Sequence, residues 1–427
     1  MFAKMNSTSG RVLFWGWYVV AGAFLLHAVS YGARYSFGIF VQPLTAENGW
    51  SRTVISLAAS LNMLFFAAGG IVAGRLLDRI APRWVASAGA AVGALGFFLA
   101  AFVDTPTAFY LAYGLLCGLG SSWTGIVVGN SSVGKWFVRR RGMAIGIASM
   151  GVSFGTMIMT PAVGWVVKEQ GWQAGFIALG LTLLAAGVLV AQVFLGRTKP
   201  EAYGLCPDGI GDPTAGDAGE SCGDPGQSAA IPLKEAIRDS RFWILSLCQG
   251  TAVMIVLMAF VHQVPYALDL GIDRLAAAAS LGAIALAGFC GQLFFGSVSD
   301  RLPDPKYSAM LGYLVMAAGL AVLLTAKTVE GLFAYALVFG FGYGCLGPIL
   351  PIIASGRFGR ESIGSVYGAL NFFVAGVGGG LGPIVGGILY DVLGSYRSVW
   401  ALSIVLLLAA TAGLTALKRR EDGLNRG

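Results

Sequence analysis

The stretch GRLLDR, Gly74–Arg79, decides the fold of this chain because the pattern occurs twice. It returns as GSVSDR at Gly296–Arg301, which is a shift of 222 residues (296 minus 74). The same shift, without a gap, aligns further pairs of prolines and glycines: Pro43 and Pro265, Gly49 and Gly271, Gly118 and Gly340, Gly142 and Gly364, and Pro161 and Pro383. One constant offset across five helices is hard to obtain by chance. The sequence therefore predicts two halves built on one plan.

Around the repeat, the composition is that of a membrane protein. The 427 residues are 56% hydrophobic and only 11% charged, whereas a water-soluble chain covers its exterior with charge. Twelve apolar stretches are each long enough to cross a hydrocarbon core of about 30 Å. They run over residues 14–41, 54–74, 84–103, 107–133, 142–167, 172–196, 241–268, 275–297, 307–326, 331–354, 362–389 and 395–417. We expect twelve transmembrane helices.

The segment between the sixth and seventh stretches has a different composition. EAYGLCPDGIGDPTAGDAGESCGDPGQS is rich in Gly, Pro and Asp, as flexible linkers are. The predicted organisation is an N-terminal six-helix bundle over 1–196, a cytoplasmic central loop over 197–240, and a C-terminal six-helix bundle with a cytoplasmic tail over 241–427. Cys206 and Cys222 lie in this loop and are expected to be reduced in the cytoplasm.

The net charge of +7 does not indicate a nucleic-acid partner, because the basic residues collect on one side of the predicted bundle. That side carries, among others, Arg75, Arg79, Arg83, Lys135, Arg139, Arg140, Arg141, Arg301, Arg357 and Lys418. Short loops rich in Lys and Arg remain in the cytoplasm. We therefore expect a multi-pass protein of the plasma membrane, specifically a bacterial inner membrane, with both termini in the cytoplasm. We also expect a monomer.

The repeated Gly-x-x-x-Asp-Arg element resembles the signature loop of the major facilitator superfamily. The resemblance covers almost the whole chain and implies an all-α membrane fold of two pseudo-symmetric six-helix bundles. Transporters built from repeats bind their substrate near the midplane, between the halves. The sequence has no His-Glu-x-x-His spacing, no paired acids and no Cys-x-x-Cys, so we expect neither an enzyme nor a metal or cofactor site.

The element itself suggests a gate on the cytoplasmic side. Asp78 and Asp300 follow the ends of two predicted helices, next to Arg79 and Arg301. A carboxylate there can accept hydrogen bonds from the amino terminus of a neighbouring helix and pair with loop arginines. Two interpretations are open: a latch that closes the cytoplasmic side, or a charge cluster that only sets the topology.

The first predicted helix carries a polar stripe. His27, Tyr31 and Arg34 follow i, i+4, i+7 spacing and share one face. No Asp or Glu lies in the middle of a predicted helix, so Arg34 has no evident counter-ion in the protein. Its partner is then an anionic ligand held by guanidinium–carboxylate hydrogen bonds, or the side chain extends to the outer lipid headgroups.

Further motifs narrow the family. VHQVPYALDLGI, GQLFFGSVSDR and KWFVRRRGMAIGIASMG resemble the monocarboxylate and oxalate–formate branch of the superfamily. By motif, this resemblance assigns site roles to His262 and to Tyr343. Because histidine can change its charge near neutral pH, His262 is expected to carry a coupled proton or to donate to a carboxylate; a packed structural histidine is the alternative. Where the branch has an arginine in helix 8, this chain has Gln292, and helix 11 offers only Asn371. We hypothesise that Arg34 supplies the missing charge from the opposite half.

These observations predict a secondary active transporter of a small organic anion, a monocarboxylate rather than a dianion. Transport is by proton symport or anion exchange, through alternating access. The partners expected are the organic anion, the proton and the lipid bilayer. The alternative is an exporter of neutral or acidic amphipathic compounds on the same fold.

Overall fold

The computed structural model describes residues 14–209, 231–360 and 363–417. Its long elements are twelve helices, and no strand occurs among the described residues. We label them α1 (Trp15–Tyr35), α2 (Arg52–Leu77), α3 (Pro82–Ala100), α4 (Pro106–Trp136), α5 (Arg141–Gln170), α6 (Trp172–Phe194), α7 (Ser240–Asp269), α8 (Arg274–Ser299), α9 (Lys306–Thr325), α10 (Val329–Phe358), α11 (Ile363–Leu393) and α12 (Tyr396–Thr415). The predicted fold class is confirmed.

Eleven of these helices, α2 to α12, are long and apolar enough to cross a membrane. The twelfth, α1, has 21 residues, which at 1.5 Å per residue span about 31 Å. It is long enough to cross the hydrocarbon core, but it carries His27 and Arg34 among its apolar residues. The polar stripe thus lowers the hydropathy of α1 without shortening it.

The first predicted span, residues 14–41, is divided in the structure. α1 ends at Tyr35 and is followed by a 3₁₀ turn, Ser36–Phe40, and a short helix, Val41–Asn48. The Ser36 hydroxyl donates to the Gly32 carbonyl over 2.7 Å. A side-chain hydroxyl that bonds back to the preceding turn favours a bend, which a count of apolar residues does not reveal.

Within each set of six helices, glycines allow very close packing. α1 packs along α5, and a Cβ added to Gly155 would lie 1.9 Å from the Ala28 carbonyl oxygen. Gly151 meets the Phe24 carbonyl oxygen in the same way, at 2.1 Å. Small residues at such spacing let two helix backbones touch. α7 packs against α11 and α12 in the second set.

The two sets meet where α2 lies against α11 and where α5 lies against α8. A Cβ on Gly74 would lie 2.1 Å from the Gly364 carbonyl oxygen, and one on Gly142 would lie 2.1 Å from that of Gly296. These two contacts are related by the 222-residue shift, so the internal repeat of the sequence is also a repeat of contacts. Both lie at the end of the bundle that carries Arg79, Arg139–Arg141 and Arg301, which we call the basic end.

The central loop is described only in part. Residues Pro200–Tyr203 and Pro207–Gly209 form 3₁₀ turns, and Leu233–Ala236 form one helical turn. Cys206 is disulfide-bonded and almost fully buried, so the expectation of a reduced thiol at this position is wrong; Cys222 lies outside the described residues. The division of the chain at residues 196 and 241 stays a prediction.

Candidate functional site

Arg34 lies in the last turn of α1 and points at α2. Its Nε donates to Asn62 Oδ1 over 3.2 Å, and its Nη2 lies 2.8 Å from Met63 Sδ. The guanidinium carbon stands 3.9 Å from the centre of the Phe66 ring, a cation–π distance. The side chain is half-buried, and none of these three groups carries a negative charge. Arg34 therefore reaches α2 rather than the lipid headgroups.

Aromatic rings surround this guanidinium. Tyr31, one turn before Arg34, is buried and meets Phe66 edge-on at 6.1 Å between ring centres. Tyr35, the residue after Arg34, exposes 50% of its surface, and its ring stands 5.6 Å from that of Tyr31. We call the space that these side chains face the aromatic cleft.

The opposite wall of the cleft belongs to the second set of helices. Tyr343 on α10 lies within electrostatic range of Tyr35 of α1, so side chains of the two halves come near each other here. The Tyr343 ring packs on Gly288 of α8 and stands 5.6 Å from the Phe260 ring of α7. Tyr367 of α11 is close enough to interact with Tyr31. The cleft thus combines one cation with several aromatic surfaces.

Gln292 and Asn371 lie at the two seams between the halves. Gln292 is buried, one turn after Gly288 on α8, and its Oε1 has no hydrogen-bond partner among the described residues. Asn371 is also buried, and its Nδ2 would lie 3.9 Å from a Cβ on Gly70 of α2; this amide nitrogen likewise lacks a described partner. Buried polar atoms normally have partners, so these two atoms are available to a ligand or to water.

His27 lies elsewhere. It is fully buried, its Nδ1 donates to the Ala148 carbonyl of α5 over 2.8 Å, and its Nε2 lies against Gly129 of α4. All three helices belong to the first set. The shared face predicted for His27, Tyr31 and Arg34 is present, but His27 is enclosed by packed helices.

His262 also points away from Tyr343. Its Nε2 donates to the Pro383 carbonyl of α11 over 2.9 Å, and its Nδ1 lies 3.3 Å from the Tyr396 hydroxyl at the start of α12. The α7 residue that meets Tyr343 is Phe260, and two residues along a helix correspond to a rotation of about 200°. Arg34 and Tyr31 thus lie on the side of the first set and Tyr343 on the side of the second, whereas His262 faces α11 and α12.

The carboxylates of the repeated element reach across the seams. Asp300 Oδ1 and Oδ2 accept from the backbone N–H groups of Gly142 and Met143 at the start of α5, over 2.6 and 2.8 Å. Asp78 Oδ2 accepts from Ser365 N over 3.2 Å and from the Ser365 hydroxyl, at the start of α11. Met143 and Ser365 are related by the 222-residue shift, so the two caps are equivalent.

The arginines of the element behave differently from its carboxylates. Arg141, not Arg301, interacts electrostatically with Asp300. Arg79 and Arg301 are exposed, and the ion pairs found among the described residues include neither of them. Burial raises the pKa of Asp300 to about 6, although the Met143 and Gly142 amides act in the opposite direction.

Two further polar contacts were not predicted. Asp208, with φ of 59°, accepts from three consecutive backbone N–H groups, those of Val138, Arg139 and Arg140, over 2.8 to 3.2 Å. Arg357 at the end of α10 donates to Asp304 over 2.5 Å, and both side chains are buried. The signal for Asp208 was available in the sequence as PDG, a turn motif that favours left-handed backbone next to Gly.

Comparison with known proteins agrees with this architecture. The family model of the Major Facilitator Superfamily matches residues 23–383. Monocarboxylate transporter 13 of Bos taurus is 27% identical over 409 residues, which is 94% of this chain and 89% of that protein. Monocarboxylate transporter 11 of Homo sapiens is 28% identical over 413 residues, 93% of this chain and 82% of that protein.

Solved structures share the fold at lower identity. The E. coli fucose:proton symporter FucP in the outward conformation has a TM-score of 0.70 at 16% identity and covers 94% of this chain and 98% of its own. The proton:xylose symporter XylE bound to 6-bromo-6-deoxy-D-glucose has a TM-score of 0.72 at 12% identity, with 95% and 96% covered.

Proposed function

The chain belongs to the Major Facilitator Superfamily, and from this premise we propose that it carries a small organic anion, specifically a monocarboxylate. Like its relatives, it is a multi-pass membrane transporter and not an enzyme. The proposed binding site is the aromatic cleft with Arg34 at its centre and with Tyr31, Tyr343, Gln292 and Asn371 as further ligands. His27 contributes only through packing.

The single observation that carries the proposal is the environment of Arg34. An ionised guanidinium inside a membrane costs from roughly 3 to more than 10 kcal/mol. Asn62, Met63 and Phe66 solvate this cation without neutralising it. A carboxylate can accept two parallel hydrogen bonds from a guanidinium, and such charge-assisted bonds are about twice as strong as neutral ones. A bound anion would thus provide the negative charge that the contacts of Arg34 within the protein lack.

The charge and surface of the cleft favour a monoanion with an apolar body. Tyr31, Tyr35 and Tyr343 offer aromatic surface on both sides, while Arg34 provides one positive charge. A second carboxylate would find neutral amides at Gln292 and Asn371, which hydrogen-bond but do not neutralise. The printed names of the relatives in Bos taurus and Homo sapiens, both monocarboxylate transporters, support the same substrate class.

We further propose that the halves rock about this site. The basic end is the cytoplasmic end by the positive-inside rule, and the caps at Asp78 and Asp300 form the gate that closes it. The protein works as a monomer in the cell membrane, by proton symport or anion exchange. His262 is the proposed proton carrier: while neutral, its Nδ1 accepts from the Tyr396 hydroxyl, and protonation turns that atom into a donor to the same oxygen, which reverses this hydrogen bond between α7 and α12.

The test is uptake of labelled monocarboxylates by proteoliposomes that contain the wild type or Arg34→Gln. We expect Arg34→Gln to lose at least about tenfold in apparent affinity, since a hydrogen bond to a charged group contributes roughly 1.5 to 3 kcal/mol. Arg34→Lys keeps the charge but not the bidentate geometry, so its apparent affinity should lie between those of the wild type and Arg34→Gln. Arg397→Gln, an exposed arginine on α12, serves as the control.

The readout also includes binding without transport. Monocarboxylates should raise the melting temperature of the purified wild type with the logarithm of their concentration above the Kd, and Arg34→Gln should remove this shift while it leaves the melting temperature without ligand near that of the wild type. If Arg34→Gln takes up and binds every tested carboxylate as the wild type does, the anion site at Arg34 is wrong.

A further inference from the structure

An apolar groove runs along the outer face of the seam between α5 and α8. It has a volume of about 500 Å³ and receives side chains from α5, α8 and α10. Its walls are mostly hydrocarbon, with one charged group at one end: Met150, Cys290, Leu293, Phe294, Phe341 and Arg301. The groove is separate from the aromatic cleft, because it lies on the opposite side of α8 from Gln292 and Gly288.

The groove has the length of one membrane leaflet. Cys290, Leu293, Phe294 and Ser297 lie at helical spacing on one stripe of α8, and Arg301 follows two residues after the helix ends at Ser299. From Cys290 to Ser299 the helix advances 9 residues (299 minus 290), which is about 14 Å, and the Arg301 side chain extends the groove beyond this. Half of a hydrocarbon core of about 30 Å is nearly the same distance. The groove therefore extends from the membrane midplane to the headgroup level at the basic end.

Both ends of this stripe are suited to a lipid. Leu293 and Phe294 expose 38% and 42% of their surface, and within a membrane span that surface meets acyl chains. The Arg301 guanidinium lies where phosphate groups lie, and the described ion pairs do not include it. A long basic side chain at a helix end places its charge among the headgroups.

We propose that this groove binds one anionic phospholipid of the leaflet at the basic end, with an acyl chain against α8 and the phosphate on Arg301. Arginine holds a phosphate by two parallel hydrogen bonds, and each basic residue near an anionic surface favours negative lipids several-fold. The lipid contacts both halves, because Met150 belongs to α5 of the first half, while Cys290 on α8 and Arg301 just after it belong to the second.

The site depends on the conformation of the protein. The groove exists because α5 and α8 touch at the Gly142 and Gly296 pair, and separation of the halves at the basic end removes one of its walls. A ligand that binds one of two states shifts the population toward that state. The bound lipid thus stabilises the form that is closed at the basic end.

The experiment is native mass spectrometry of the purified full chain with phosphatidylglycerol and phosphatidylcholine of identical acyl chains. The wild type should retain one phosphatidylglycerol about fivefold more strongly than phosphatidylcholine. Arg301→Gln should abolish this preference. Cys290→Trp, which fills the inner part of the groove, should weaken the binding of both lipids. Arg301→Lys should retain the preference, which checks that Arg301→Gln acts through charge and not through misfolding.

The matched control is Arg79→Gln, the counterpart of Arg301 in the first repeat. It should leave the lipid preference unchanged, because Arg79 does not line the groove. Equal losses for Arg79→Gln and Arg301→Gln would mean unspecific attraction to a basic surface and would overturn the proposal. Displacement of phosphatidylglycerol by excess inorganic phosphate would also overturn it, since the acyl chain would then contribute nothing.

Discussion

Arg34 is held by groups that stabilise a cation and leave its charge intact. The amide of Asn62 accepts from Nε, the sulfur of Met63 lies near Nη2, and the Phe66 ring faces the guanidinium carbon. Each contact lowers the cost of the charge inside the membrane by a modest amount. None competes with a carboxylate for ionic attraction. This environment suits a residue that binds and releases an anion in every transport cycle.

A single substitution beside Arg34 should strongly reduce the affinity of the site for monocarboxylates. Asn62→Asp is nearly isosteric and places a carboxylate 3.2 Å from Nε, where it pairs with the guanidinium permanently. We expect monocarboxylate affinity to fall by about 10- to 100-fold while the melting temperature is retained or rises. The measurement is proteoliposome uptake together with thermal unfolding.

Asn62→Ala provides the comparison for this variant. It removes the same amide, including the bond from Asn62 Nδ2 to the Tyr113 carbonyl, but it adds no charge. If Asn62→Asp transports monocarboxylates as well as Asn62→Ala does, the charge of Arg34 has no part in binding.

Asp300 should make stability depend on pH. Burial raises its pKa from 3.8 to about 6, so the folded chain binds this proton more tightly than the unfolded chain does. The stabilisation from this proton is complete below about pH 3.8 and is lost as the pH rises through about 6. The wild type should therefore gain stability between pH 7.5 and pH 5, and Asp300→Asn should not show this gain.

The measurement is the melting temperature of both proteins across this pH range. Asp104→Asn removes an exposed carboxylate and should follow the wild type. A parallel pH dependence in the wild type and in Asp300→Asn would contradict the assigned burial of this carboxyl.

At the scale of single residues, the sequence indicated which polar residues lie on each helix better than it indicated where their side chains point. The spacing of Tyr31 and Arg34 indicated a shared polar face, and both lie at the cleft. For His262, the motif did not indicate which way the side chain points from α7, and in the structure it faces α11 and α12. The neighbours of Arg34 on α2 were not predictable, because Met63 and Phe66 are ordinary apolar residues of a span.

At the scale of elements, the closed basic end depends on backbone contact between helices. The Gly142 and Gly296 pair on α5 and α8 repeats the Gly74 and Gly364 pair on α2 and α11. Because there is no side chain to move aside, a methyl group at either position must separate the helices. The glycine spacing in the sequence indicated close packing, but it did not indicate which helix would be the partner.

Gly142→Ala should therefore weaken the closed form. The new Cβ would lie 2.1 Å from the Gly296 carbonyl oxygen, and overpacking of this kind costs about 1 to 3 kcal/mol. We expect faster labelling of a cysteine introduced at the basic end, which reports opening there. Gly282→Ala, on α8 in open space, should label at the wild-type rate, and identical labelling of Gly142→Ala would contradict a backbone-to-backbone seam.

At the scale of the whole molecule, the repeat was the most informative property of the sequence. A shift of 222 residues relates the motifs, the glycine pairs and the caps at Asp78 and Asp300. This repeat is visible in the sequence because both halves keep the same residue types at the same spacing. The cleft was harder to predict, since it is formed by side chains from α1, α2, α8, α10 and α11 that only the packing brings together.

An unneutralised Arg34 also has a consequence for the transport cycle. The empty carrier must reorient with a bare cation, and each 1.4 kcal/mol of extra barrier slows that step about tenfold. We expect exchange of labelled for unlabelled monocarboxylate to exceed net efflux by at least about tenfold. Counterflow in proteoliposomes measures the exchange rate, and dilution into buffer without monocarboxylate measures the net efflux rate. Equal rates would show that the empty carrier returns freely.

The contact between α1 and α2 also bears on how the protein is made. α1 is translated before α2, and Asn62 follows Arg34 by 28 residues (62 minus 34). When Arg34 leaves the ribosome, the amide, the sulfur and the ring that accommodate its guanidinium are still inside the exit tunnel. An arginine costs the insertion machinery about 2.5 to 3.5 kcal/mol near the centre of a helix. We therefore expect stable integration of α1 to require α2, so that the pair enters the bilayer as a helical hairpin.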